Sequence, residues 1–246
     1  MRVFAISDLH LSGGDDKPMD VFGAHWENHM DRIEEDWKAR VAEEDTVLIA
    51  GDISWAMHLE DAADDLRRIG CLPGNKILLR GNHDYWWSSV TRVRESLPEK
   101  MYAVQNDAVR IGEQVFCGTR GWNTEETQEN KKIFTRELLR LDMSLQQAVR
   151  LGGEITVMCH YPPLTENGVL NGAGEIIARY PVKQVVYGHL HGQQSPAFNG
   201  TVSGIRFDCT SCDKLGFRLL EMEGGEAALT VEERGAGSDP GDREAP

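Results

Sequence analysis

An α/β fold built around parallel strands is what the sequence predicts, on three observations. Short apolar runs of strand length recur along the chain, amphipathic helical patterns separate the early ones, and each run stops at a polar cluster. The runs cover residues 2–7, 46–51, 76–81, 114–119, 154–160 and 184–189. Between the first two, Phe22, Trp26, Met30, Ile33, Trp37 and Val41 are spaced 4, 4, 3, 4 and 4 apart, an apolar stripe on one helix face. Residues 59–69 and 133–149 read the same way. Strands alternating with helices of this length imply βαβ units, whose loops at the carboxyl ends of the strands gather on one edge of the sheet. That edge is where a site is expected.

The later part of the chain changes character. Residues 204–209, 216–221 and 227–232 follow one another with only turn signals between them, which predicts an antiparallel ending. Residues 235–246 hold no large apolar side chain and read as a disordered tail, leaving residues 1–234 as a single domain with no internal repeat.

Composition narrows the class. With 246 residues, 40% apolar and 27% charged, 25 Gly and 9 Pro, the chain is neither collagenous nor disordered, and a domain of this length buries roughly 70–75% of its unfolded surface without a staple. Acidic residues outnumber basic ones 40 to 26, for a formal charge of −14, so sequence-blind binding to duplex nucleic acid is disfavoured. A small phosphorylated substrate stays compatible, because bound divalent cations reverse the local field. No apolar run reaches the roughly 18 residues of a membrane span, and the opening MRVFAISDLHLS lacks the apolar core and cleavage site of a signal peptide, which predicts a cytoplasmic chain. Five scattered cysteines fit reduced thiols.

The polar clusters carry the chemistry. The first run is followed by Asp8, Leu9 and His10, the second by Asp52, the third by Asn82, His83 and Asp84; further on come His160 and then His189, Leu190 and His191. Alternate residues of an extended chain point the same way, so Asp8 with His10, and His189 with His191, can face one centre. Gly51, Gly81 and Gly188 precede ligand candidates, where the lack of a Cβ permits sharp turns and close backbone approach. A lone DxH or HxH is ordinarily a polar strand edge. A non-metal account of the joint pattern would have to partner seven such groups at five strand ends, at about 1–3 kcal/mol for each left unsatisfied. We therefore read the joint pattern, with Asp8, His10, Asp52, Asn82, His83, His160, His189 and His191 as its candidate residues, as a metal site.

These blocks, DxH, GD, GNHD, H and GHLH in this order, resemble the calcineurin-like metallophosphoesterase superfamily over residues 2–210. Within it, SDLHLS, GDISWAM, GNHDYWW, CHYPP and GHLHG are most similar to a bacterial group of phosphohydrolases. The resemblance implies a four-layer αββα sandwich, two mixed sheets flanked by helices, with two divalent ions at the strand ends. By position, one ion is held by Asp8, His10, Asp52 and His191 and the other by Asp52, Asn82, His160 and His189, with Asp52 shared. Mixed imidazole and carboxylate ligation suits Mn foremost, with Fe, Zn, Ni or Co compatible, better than Ca. The family's reaction is in-line attack on phosphorus by a hydroxide bridging the two ions, with His83 protonating the leaving oxygen and Asp84 holding its imidazole. Analogy leans to phosphodiesters; the alternative is a phosphomonoesterase, and a remote one is a binding scaffold of the same fold.

Weaker signals have plainer readings. His25 and His29 lie four apart but do not form HExxH, and read as boundary residues of the helix. His58 could reach the site or cap the next helix. Cys209 and Cys212 form a CxxC with no second pair. Arg120 and Trp122 in GTRGW are candidate substrate contacts, since a fixed guanidinium near metals can bind phosphate oxygens. Segment 120–153 could form a specificity helix; its basic residues Lys131, Lys132, Arg136 and Arg140 are balanced by glutamates and read as a solvated face.

Overall fold

The computed structural model describes residues 1–13, 19–123 and 127–222. The expected tail, the run at 227–232, and Glu125 and Glu126 of the charged segment lie outside them.

Two sheets form. The first has the order β11-β1-β2-β3-β4, from Val3–Ile6 (β1), Thr46–Ile49 (β2), Asn75–Leu79 (β3), Met101–Val104 (β4) and Leu220–Glu221 (β11). The second has the order β5-β6-β7-β8-β10-β9, from Ala108–Ile111 (β5), Gln114–Thr119 (β6), Glu154–Cys159 (β7), Val182–Tyr187 (β8), Gly200–Val202 (β9) and Ile205–Cys209 (β10). Strands β1 to β4 run parallel, as do β6, β7, β8 and β10, while β11, β5 and β9 pair antiparallel at edges. Both sheets are mixed.

Alternation of side chains sorts the apolar runs into layers. Val3, Ala5, Leu48, Ala50, Ile77 and Leu79 face inward and meet Phe116, Met158 and Val186 of the second sheet. The intervening Phe4, Ile6, Val47, Ile49 and Leu78 face outward beneath Ile33 and Trp37 of helix His29–Arg40 (α1), Leu66 and Ile69 of Ala63–Gly70 (α2) and Val93 of Val90–Ser96 (α3). On the far side, Val115, Cys117, Val157, Val185 and Tyr187 pack under Leu141, Leu145 and Ala148 of Gln128–Leu151 (α4) and Ile177 of Gly172–Ile177 (α5). The result is the expected αββα sandwich. No helix among the described residues is long and apolar enough to cross a membrane.

Three local expectations are corrected. The stripe from residue 22 is not one helix: Met19–Phe22 and Ala24–Trp26 are separate 3-10 turns, because Gly23 (φ 129°) and Asn28 (φ 52°) break the helical path before α1 begins. The ending is not antiparallel throughout, since β10 pairs in parallel with β8. The run at 216–221 shrinks to the two residues of β11, because Gly216 and Phe217 both take left-handed backbone (φ 63° and 61°) and close a turn in which the Phe217 N–H donates to the Cys212 carbonyl at 2.7 Å.

Candidate metal centre

The loops after β1, β2, β3, β7 and β8 meet at one edge of the sandwich, and tight backbone packing draws them together. A Cβ on Gly81 would fall 2.1 Å from Asp52 Oδ1, one on Gly51 2.6 Å from His160 Nδ1, and one on Gly188 2.6 Å from Asp8 Oδ2. Each glycine therefore marks a point where two loops are in contact. Four candidate ligands sit in left-handed backbone, Asp8 (φ 60°), His10 (φ 46°), Asp52 (φ 53°) and His189 (φ 74°), a conformation that non-glycine residues hold only where the surroundings impose it.

All seven candidate ligands converge. His10 Nε2 faces His191 Nε2 at 3.4 Å, with Asp8 Oδ1 3.3 Å from His191 Nε2 and Asp52 Oδ2 3.9 Å from His10 Nε2. Beside this group, Asn82 Oδ1 lies 2.7 Å from His160 Nε2 and 2.9 Å from His189 Nδ1, and Asp52 Oδ2 is 3.4 Å from His160 Nε2. Asp52 thus touches both groups, as a shared ligand must. Asp8 also reaches toward the second, lying in one cluster of donors with Asp52 and His160 as well as in one with His10 and His191.

The donor set fits divalent cations. Asp8 and Asp52 are 0% and 1% exposed, and among the described residues only histidines form ion pairs with them. Burial works against the Asp8 charge, yet His191, His160 and His10 around it hold its carboxyl far below the usual range. The same field acts on the rings. Burial disfavours a charged His160, but the Asp52 and Asp8 carboxylates outweigh it and push the imidazole up to about 9; burial likewise opposes charge on His191, which hydrogen bonds to Asp213 and Asp8 push up to about 10. Burial brings His10 and His189 down to about 4, keeping them neutral and able to donate a lone pair. The carboxylates demand positive charge beside them, and cations bound by these donors meet that demand. Outer contacts fix the rings: His160 Nδ1 pairs with the Ala50 carbonyl at 3.0 Å and His191 Nδ1 with Asp213 Oδ1 at 3.1 Å.

Sequence reasoning missed Asp213. It lies in a turn with no strand or motif signal, and only its contacts with the His191 ring and the Gly192 N–H (2.8 Å) reveal it.

Around the ligands opens a cleft of about 460 Å³, walled by Met19, Trp26 and Trp55 with His83 and His25 at its margin. The His83 ring is 4.6 Å from Trp55 and 5.8 Å from His10, and its Nδ1 is buried without a partner. A second cleft of about 300 Å³ begins across His189, lined by Trp122 and Tyr161.

Several expectations are not met here. Asp84 does not hold His83: its carboxylate accepts from the N–H groups of Gly81 (2.7 Å), Ile53 (2.8 Å), Asp52 (2.9 Å) and Ser54 (3.2 Å) and from the Trp86 indole (3.0 Å), which fills its acceptor positions. It clasps the GD and GNHD loops together instead, and burial beside Asp52 pushes its carboxyl up to about 6. His58 is exposed and lines neither cleft; its carbonyl accepts from Asp61 and Ala62 at the approach to α2. Arg120 stacks on Trp122 (4.6 Å) and points to a separate cavity with Arg80 and Arg140, so Arg140 is not part of a plain solvated face. His29, read as a boundary residue of the helix, hydrogen bonds the Leu9 carbonyl at 2.8 Å and so supports the first motif. Cys209 and Cys212 are free and buried.

Comparison with curated proteins returns no match. Solved structures share the fold at low identity. A protein of unknown function from Aquifex aeolicus matches at 15% identity and TM-score 0.51, covering 89% of this chain and 95% of its own. Phosphopantetheinyl hydrolase from Mycobacterium tuberculosis matches at 12% identity and TM-score 0.55, covering 96% and 98%. GAP50, the anchor in the inner membrane complex of Plasmodium, matches at 12% identity and TM-score 0.50, covering 86% and 71%. The decisive match is to a sequence profile, that of the calcineurin-like phosphoesterases, over residues 1–193. With the αββα sandwich and the converging donors, this establishes that the chain belongs to the calcineurin-like phosphoesterase family, metal-dependent hydrolases of phosphoesters.

Proposed function

We propose that the chain hydrolyses a phosphodiester of a small molecule at a two-metal centre, with Asp8, His10, Asp52 and His191 holding one ion, Asp52, Asn82, His160 and His189 the other, and His83 serving as general acid. Manganese is the ion we assign first. The observation that carries this reading is the joint geometry of the donors: seven side chains from five strand ends form two groups that share the buried Asp52 carboxylate.

Bound there, divalent ions supply Lewis-acid activation of water and neutralise phosphoryl charge. The protein supplies the rest. Asp8 and Asp52, fixed by Ser7 Oγ (2.5 Å from Asp8 Oδ2) and by the His83 N–H (2.8 Å from Asp52 Oδ1), set where the phosphoryl group rests. His83 stands on the cleft wall beside His10, where a proton on its ring reaches a leaving oxygen; transfer of this kind is worth about 10²–10⁴ in rate. Trp26, Trp55 and Met19 exclude water from one side and offer an apolar bed for the leaving group.

A monoesterase shares this chemistry, and the fold also serves as an anchor, as the Plasmodium neighbour shows. The complete donor set and the placement of His83 favour catalysis here over a scaffold. The test is hydrolysis of bis(p-nitrophenyl) phosphate against p-nitrophenyl phosphate by the manganese-loaded chain. Turnover mainly of the diester, lost in His83→Ala, is expected; turnover mainly of the monoester reassigns the substrate class, and no turnover of either across several metals refutes the enzyme reading.

A further inference from the structure

Beside the ligand loops, and outside the ligand set, lies a cavity of about 50 Å³ where β3, β4 and β6 end against α4. Its wall carries three guanidinium groups, from Arg80, Arg120 and Arg140, facing one carboxylate, Glu137. Both oxygens of Glu137 are engaged, Oε1 by Arg140 Nη1 at 2.6 Å and Oε2 by the Thr119 hydroxyl at 2.5 Å. Arg140 is therefore neutralised. Arg80 and Arg120 form no ion pair among the described residues, although the Glu137 charge acts on Arg120 from a distance, and Arg80 Nε is buried with no hydrogen-bond partner. Arg120 is held in place by Trp122, and the Gln105 side chain at the same wall accepts from the Trp87 indole at 2.7 Å, leaving its NH2 as a donor. In a chain of net charge −14, three guanidinium groups against one carboxylate at one half-buried point are a local reversal of the field.

A buried N–H without an acceptor costs free energy, and a guanidinium fork matches the oxygens of phosphate or carboxylate. The volume suits such a group: at about 10–15 Å³ for each water, it holds roughly four waters, the bulk of a single oxyanion. The location ties the cavity to the metal centre. Arg80 precedes Asn82 by two residues, a Cα separation of at most about 7.6 Å, and the Arg120 carbonyl accepts from the N–H of His160 (3.1 Å) and of Tyr161 (2.9 Å).

We propose that this cavity is an oxyanion site, distinct from the metal ligands, in which Arg80 and Arg120 bind a phosphate or carboxylate group. Its occupant is a second anionic group of the substrate or a free anion; the former rests on the phosphoesterase reading above, the binding itself does not.

The test is equilibrium dialysis of the metal-loaded chain against labelled inorganic phosphate. Two phosphates per chain are expected. Arg80→Met weakens one of them at least tenfold and leaves the other, Arg80→Lys restores part of the loss, and His191→Ala removes the other alone. A single phosphate, lost in His191→Ala and unchanged in Arg80→Met, overturns the proposal and leaves the metal centre intact; no bound phosphate at all overturns it too. Kinetics then distinguish the source. If the site holds part of the substrate, phosphate inhibition has a competitive component that Arg80→Met removes, and with a free anion KM is the same in both forms.

Discussion

Asp84 shows how far a single residue can depart from what its place in a motif implies. Adjacent to His83 in GNHD, it reads as the partner of that ring, yet its carboxylate accepts five N–H bonds from two loops. Sequence spacing gives proximity along the chain, whereas a buried carboxylate goes where the unsatisfied N–H groups are. Asp84→Asn sets an NH2 against N–H donors and is expected to lower stability by about 2–4 kcal/mol in urea unfolding. His83→Ala behaves oppositely: kcat falls by about 10²–10⁴ while metal content by plasma emission stays unchanged, because the His83 ring is in neither donor group. Asp213 could not be read from sequence, since it acts through contacts that only the folded chain creates.

At the scale of elements, the buried strands were legible and the edges were not. Strands β1, β2, β3, β6, β7 and β8 carry side chains buried on both faces, so their apolar runs stand out. Strands β4 and β5 and helix α5 escaped notice. Tyr102 and Arg110 break the first two with exposed positions, and α5 has only six residues, GAGEII, two of them glycine. The turn joining α1 to β2 makes an acid-sensitive joint. Burial raises the Asp45 carboxyl, but the N–H groups of Arg2 and Ala42 and the Arg2 guanidinium outweigh that and hold it below its ordinary value. A carboxyl depressed in the folded state contributes stability that is present above its unfolded value near 4 and is lost as pH falls below it. Asp45→Asn is therefore expected to lower stability at pH 7 and to flatten the decline as pH falls below about 4, read from urea midpoints on either side of that value.

The whole molecule joins two sheets through a narrow apolar interior, and the site lies at the edge where their strands end. Phe116 and Met158, both 0% exposed, bridge the sheets, so Phe116→Ala is expected to cost about 3–5 kcal/mol and to loosen the ligand loops with it. The fold class and the convergence of the candidate donors were legible because strand ends in parallel sheets meet at one edge and ligand chemistry uses few residue types. The cavity walls were not, being assembled from loops that carry no periodic signal. Two buried carboxylates whose ion-pair partners among the described residues are all imidazoles also tie stability to metal: chelation is expected to lower the unfolding free energy by about 3 kcal/mol or more for ions held at 100 times their Kd.

The most direct test of the shared-carboxylate centre is the metal count of the purified chain and of Asp52→Ala, measured against protein concentration after loading with manganese. Two ions per wild-type chain and none firmly held in Asp52→Ala are the result this geometry predicts. One ion or none in the wild type, or two retained without Asp52, would contradict it.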